Sequence, residues 1–210
     1  MANKEGENNN FLHRIEEELI LTGRYSVARA HVAEELFDGI LPILGILLAG
    51  YISAHMQELF VVFEATLLAA VGSSIAHFVS GFGGTYLAER AEGQHLIEEL
   101  KSSKDKKMSP SLIISIERET TLVLSLVKGT VPAISVLVTV TPMFFALMGW
   151  IDYISSFLVS IGVGLSLLFL LGLFLGRISK TSIWISAFKT LFAGLLTMAL
   201  LFVIALITGA

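Results

Sequence analysis

The chain is predicted to be an all-α, polytopic membrane protein with five transmembrane helices and its N-terminus inside. Three observations carry this. Hydrophobic residues make up 54% of the 210, and the mean hydropathy of +0.78 lies outside the range of soluble domains. Five apolar stretches run at roughly 36–55, 58–87, 121–148, 151–175 and 181–208, and about 20 apolar residues cross a bilayer core as helix. Finally, the 14 Lys and Arg residues can all be placed on one side. Arg14, Arg24 and Arg29 precede the first stretch. Arg90, Lys101, Lys104, Lys106, Lys107 and Arg118 lie between the second and third. Arg177 and Lys180 lie between the fourth and fifth. Basic loops face the cytoplasm, so an odd number of spans puts the C-terminus outside. The apolar runs lack the period-2 alternation of a barrel, which leaves helices as the only spanning structure.

Residues 1–10, MANKEGENNN, are too polar to fold alone and read as a disordered tail. Residues 11–35 read as an amphipathic helix. Phe11, Leu12, Ile15, Leu19, Tyr25 and Val32 are apolar, set between the acidic runs Glu16-Glu17-Glu18 and Glu34-Glu35. Such a helix can lie along the membrane surface and lead into the first span; Gly23 is a candidate break. Residues 36–208 form the five-helix membrane domain. The second stretch is too long for the hydrocarbon alone, so its end near Tyr86–Arg90 should project as continuous helix. It enters an acidic cytoplasmic segment, 88–120. There, 101–111 is a linker broken at Pro110, and 111–120 is a short helix before the third span. The turns near 55–58, 149–153 and 176–181 are short, which makes consecutive helices antiparallel neighbours. Nothing before Leu36 resembles the apolar core of a signal peptide.

A faint repeat links the first and third spans. Asp38-Gly39-Ile40-Leu41-Pro42 matches Lys128-Gly129-Thr130-Val131-Pro132. Repeats about an axis along the membrane normal would place Asp38 and Lys128 symmetrically, and many transporters bind their substrate at a repeat interface.

Composition excludes several chemistries. With no cysteine, disulfides, iron–sulfur clusters and thiolate metal sites are ruled out. No nucleophile–base pair or HExxH suggests an enzyme, and no basic, aromatic-interleaved patch suggests nucleic acid. What remains is a set of ionisable groups inside or beside spans, where each is costly. Asp38 lies about one turn into the first span. Pro42 cannot donate to the Asp38 carbonyl, so a free backbone oxygen beside a carboxylate could serve a hard cation; alternatively the carboxylate snorkels to water. Glu64, in the second span, reads either as a protonated structural group or as a step on an ion path. His77 reads as such a step or as a hydrogen-bonding link to a neighbouring helix. Lys128 could pair with Asp38, and Lys189 should snorkel. Beyond the second span, Glu89, Glu92 and His95 recur at helical spacing. Carboxylates with imidazole suit Mn²⁺, Fe²⁺ or Zn²⁺, and Glu117 could complete a site across the linker. The same pattern also describes a solvated acidic face.

Taken in order, these features resemble the vacuolar iron transporter family in its shorter, prokaryotic branch. The resemblance rests on the amphipathic pre-helix, Phe37-Asp38-Gly39 opening the first span and the long second helix. It rests further on Ser80-Gly81-Phe82-Gly83-Gly84-Thr85-Tyr86 followed by Glu89 and Glu92, and on the third span ending Thr141-Pro142-Met143-Phe144-Phe145. It implies a homodimeric, multi-pass protein of the cell membrane. That protein would export Fe²⁺ or Mn²⁺ from the cytoplasm, coupled to protons, with the metal as transported ion and no tightly bound cofactor. Asp38 would be the intramembrane ligand, and Glu89, Glu92 and Glu117 would collect metal on the cytoplasmic side. The chain departs from the family where Gly81 replaces a methionine and Thr85 a glutamate.

Overall fold

The computed structural model describes residues 24–102 and 110–209. Among these the chain forms five helices and no strand: α1 (Arg24–Ser53), α2 (Leu59–Ser102), α3 (Pro110–Leu147), α4 (Tyr153–Ile178) and α5 (Ile183–Thr208). Each contains a stretch long and apolar enough to cross a membrane: His31–Ser53, Leu59–Glu92, Thr121–Leu147, Tyr153–Ile178 and Ile183–Thr208. The protein is therefore membrane-embedded and all-α, as its hydropathy predicts.

Residues 24–35, the end of the predicted amphipathic segment, run without a break into the first span as the opening turns of α1. Helix 111–120 is likewise the start of α3 rather than a separate element. Pro110 stands at the first position of α3, where a missing N–H costs no intrahelical bond. The tail 1–10, the part of the amphipathic segment up to residue 23, and the linker residues 103–109 lie outside the described residues. The 44 residues of α2 make a rod of about 66 Å, roughly twice a hydrocarbon core, so one end must project.

The turns are built by local chemistry. At the end of α1, the His55 imidazole donates from Nδ1 to the Tyr51 carbonyl at 2.9 Å, satisfying an acceptor that the helix end leaves open. The α3–α4 turn closes with a Schellman motif. Gly149, at φ +75°, donates to the Ala146 carbonyl at 3.0 Å, and Trp150 donates to Phe145 at 3.1 Å. The Phe145 and Trp150 rings stack across it with centroids 5.4 Å apart. Asp152 then caps α4, accepting the Ser155 N–H at 2.8 Å. The α4–α5 turn repeats the 6→1 bond, Thr181 N–H to Gly176 carbonyl at 3.2 Å, but its left-handed residue is Lys180, at φ +52°.

Helix α1 sits at the centre and touches all four others, while α2 packs most extensively on α3, and α5 on α4. The core follows from spacing: Ile40, Ile43, Leu44 and Leu47 of α1 are fully buried at helical intervals. Against them pack Phe63 and Ala70 of α2, Val136, Val140 and Met143 of α3, and Phe157 and Leu168 of α4. Between apolar helices the driving force is close packing, so small residues mark the contacts. A Cβ on Gly81 would collide with the Lys128 backbone, and one on Gly129 would lie 2.8 Å from the Phe78 carbonyl oxygen. Hydroxyls add cross-helix bonds: Ser74 donates to the Ala133 carbonyl at 3.0 Å and Thr190 to the Leu168 carbonyl at 2.7 Å.

Candidate cation path at one end of the bundle

Contacts between helices fix the relative depth of the functional candidates. A Cβ on Gly39 would meet Ser135 and, at 2.6 Å, the Pro132 carbonyl oxygen, so residue 39 lies level with 132–135. Gly81 lies against Lys128 and Gly129. One turn from Gly39 toward the N-terminus of α1, and one turn from Pro132 toward that of α3, are Glu35 and Lys128. Glu35 is partly buried there, and the charges of Lys128, Asp38, Glu34 and His31 also act on its carboxylate. The charged layer therefore contains His31, Glu34, Glu35 and Asp38 on α1, and Lys128 on α3. Within it His31 Nδ1 and Glu34 Oε2 are 3.3 Å apart.

The symmetrical pairing of Asp38 with Lys128 is not formed as a salt bridge, and neither is one between Glu35 and Lys128. Asp38 is exposed on the outer face of α1, whereas Lys128 is half-buried, and His31–Glu34 is the only ion pair within 4 Å among the described residues. The repeat is not reproduced in packing either. Gly39 is pressed onto α3, but Gly129 is pressed onto α2. Glu35 was read from sequence only as part of a polar helix face. Its spacing of three residues from Asp38 was the available signal, since it puts both carboxylates on neighbouring positions of one helix side.

Glu64 is exposed and belongs to the other half of the bundle. Its neighbour Thr66 packs against Gly50 near the far end of α1, which sets Glu64 about 20 Å along the helix axis from Asp38. The two carboxylates do not share a site. His77 is half-buried on α2, between Ser74 and Gly81, both of which face α3. Its ring makes no hydrogen bond among the described residues, so the expected link to a neighbouring helix is not formed there.

Glu89 is half-buried and Glu92 exposed on the extension of α2, about 12 and 16 Å beyond Gly81. The side chains of His95 and Glu117 lie outside the described residues. Among the described residues no three His, Asp or Glu side chains converge as a metal-holding group. Arg90, a potential partner for these acids, is instead occupied by Tyr86. Its guanidinium lies 6.0 Å from the ring centroid and reaches the hydroxyl at 3.4 Å. Tyr86 continues a ladder with Phe82 and Phe78, stacked at 6.3 and 6.0 Å. The four-residue spacing of Phe78, Phe82, Tyr86 and Arg90 was legible in the sequence as an i, i+4 series. Its effect is to direct the Arg90 guanidinium to Tyr86.

The chain is 29% identical over 174 residues to an uncharacterized protein of Methanocaldococcus jannaschii, covering 81% of this chain and 84% of that one. No protein-family model matches the chain. No solved structure matches it.

Proposed function

We propose that the protein is a membrane transporter that exports a divalent metal cation, Fe²⁺ or Mn²⁺, from the cytoplasm in exchange for protons. The observation that carries this reading is the charged layer at one end of the bundle. Four ionisable groups of α1 and Lys128 of α3 gather within spans where each is expensive, and Asp38 is exposed and in no ion pair among the described residues. Pro42 leaves a carbonyl oxygen beside it without its helical donor, and carboxylate with carbonyl is the oxygen chemistry a hard cation uses. Glu89 and Glu92, with His95 and Glu117, would raise the local cation concentration at the cytoplasmic mouth. Glu64 and His77 would serve proton or cation passage further along. The resemblance to the vacuolar iron transporters supports the same substrate class. It also supports a homodimer in the cell membrane, with the N-terminus cytoplasmic and the C-terminus outside.

A second reading is favoured by one observation. Lys128 shares the charged layer with Glu35 and Asp38, and a positive charge there opposes a divalent cation. Together with Gly81 and Thr85 in place of a thioether and a carboxylate, it suits a transporter of the same fold with another substrate. A membrane sensor or scaffold would need none of these groups. Uptake of Fe²⁺, Mn²⁺ and Zn²⁺ into proteoliposomes, with a pH dye inside, separates the three. The expected result is Fe²⁺- or Mn²⁺-driven proton counterflow that Asp38→Asn abolishes while the variant still purifies as folded helix. Full transport by Asp38→Asn removes the ligand role, and no cation uptake by the unaltered protein removes transport of metal.

A further inference from the structure

We propose that the α4–α5 end of the bundle is a binding surface for the phosphate headgroup of an anionic phospholipid. From Tyr153 to Ala210 the sequence has three basic residues, Arg177, Lys180 and Lys189, and no Asp or Glu. All three side chains are exposed, and none is in an ion pair among the described residues. They come from one corner. A Cβ on Gly176 would lie 2.7 Å from Ile183 Cα, which sets Arg177 beside the first turn of α5, and Lys180 occupies the turn between. Lys189 lies about 9 Å further along α5 from Ile183. It emerges on an outward face that also carries Trp184, Ile185 and Phe188, all exposed.

An ammonium at that depth among apolar side chains has to reach back along its methylene stem to the bilayer surface. Trp184, 64% exposed, marks that surface, since indole rings concentrate at headgroup level. The anion met there by a lipid-facing Lys is a lipid phosphate. The Trp184 and Phe188 rings, each about 6 Å from Phe169 by centroid (6.3 and 6.2 Å), supply an apolar wall for the glycerol and upper acyl chain. The backbone of Lys180 points the same way. At φ +52° it fills the one position of the turn where glycine is favoured, so the local fold alone would select against a side chain there. A basic side chain at a left-handed position is placed by something other than turn stability.

The test uses the full chain, purified in neutral detergent, with retained lipid read by native mass spectrometry and thermal midpoint read in parallel. Phosphatidylglycerol should be retained over phosphatidylcholine, and each removed cation should weaken its retention about fivefold. Lys180→Gly is the decisive variant: it should raise the midpoint in phosphatidylcholine while losing part of the additional rise that phosphatidylglycerol gives. Arg177→Gln with Lys189→Gln should remove most of the remainder. Equal retention of both lipids by the unaltered protein overturns the proposal, as does undiminished phosphatidylglycerol retention by the triple variant. Displacement of the lipid by an equal concentration of inorganic phosphate overturns it too, because the surface would then read the free anion and not a lipid.

Discussion

Lys128 illustrates how one residue can be misplaced by sequence symmetry. Its motif matches that of Asp38, yet the two form no ion pair within 4 Å, and the first turn beyond the α1–α3 crossing at Gly39 and Pro132 holds Glu35 as well. Groups in one charged network couple energetically by about 0.5–3 kcal/mol. Glu35→Gln and Lys128→Met should therefore destabilise singly and be non-additive together, by at least about 0.5 kcal/mol. Asp38→Asn with Lys128→Met should be closer to additive. Thermal unfolding of the four variants in one detergent checks both statements. Additivity for the Glu35 pair would remove Lys128 from the network.

The caps govern how each helix ends, and two of them give separable predictions. Gly149 has open space around its missing Cβ but a φ of +75°, so Gly149→Ala should cost about 1–2 kcal/mol through the backbone alone, with a lower thermal midpoint and unchanged helix content. Asp152 titrates instead. The Ser155 N–H holds its carboxyl below the ordinary value of 3.8, so the charged form is favoured by folding. The cap's contribution is then fully present above pH 3.8 and is lost as pH falls through the lower, folded value. Asp152→Asn keeps a capping oxygen without the titration. The difference in thermal midpoint between the two proteins should be constant near neutral pH and change only below that value. A difference that instead changes between pH 6 and 8 would assign the titration to another group.

At the scale of the whole molecule, the distribution of charge predicts an orientation that helix geometry does not contain. Arg90, Arg177 and Lys180 all fall at the end where α1 begins, while the 54–58 and 148–152 turns at the other end carry no Lys or Arg. A reporter fluorescent only in the cytoplasm should be bright when fused to the N-terminus and dark when fused after Ala210. A bright C-terminal fusion would reject the five-span, N-inside arrangement. The 66 Å rod of α2 adds a consequence: its projecting end, with Glu89 and Glu92, should be open to a cytoplasmic protease while residues 59–80 are protected.

Sequence by itself determined the number of spans, their antiparallel order and the gathering of the loop Lys and Arg residues at one end of the bundle. Each of these follows from local quantities: the length of an apolar run against the thickness of a bilayer, and the placement of Lys and Arg between runs. It also revealed which carboxylates sit where lipid makes them costly. Only the tertiary structure decided which of them meet. Helix crossings are set by where glycines allow backbones to touch, and the crossing at Gly39–Pro132 puts Glu35 as well as Asp38 in the layer of Lys128. Depth was decided the same way. Asp38 and Glu64 look like two members of one path in a list of charged residues, yet the Gly50–Thr66 contact puts them in opposite halves of the bundle. Hydropathy carries no information about such contacts, because a helix facing lipid and a helix facing another helix are equally apolar.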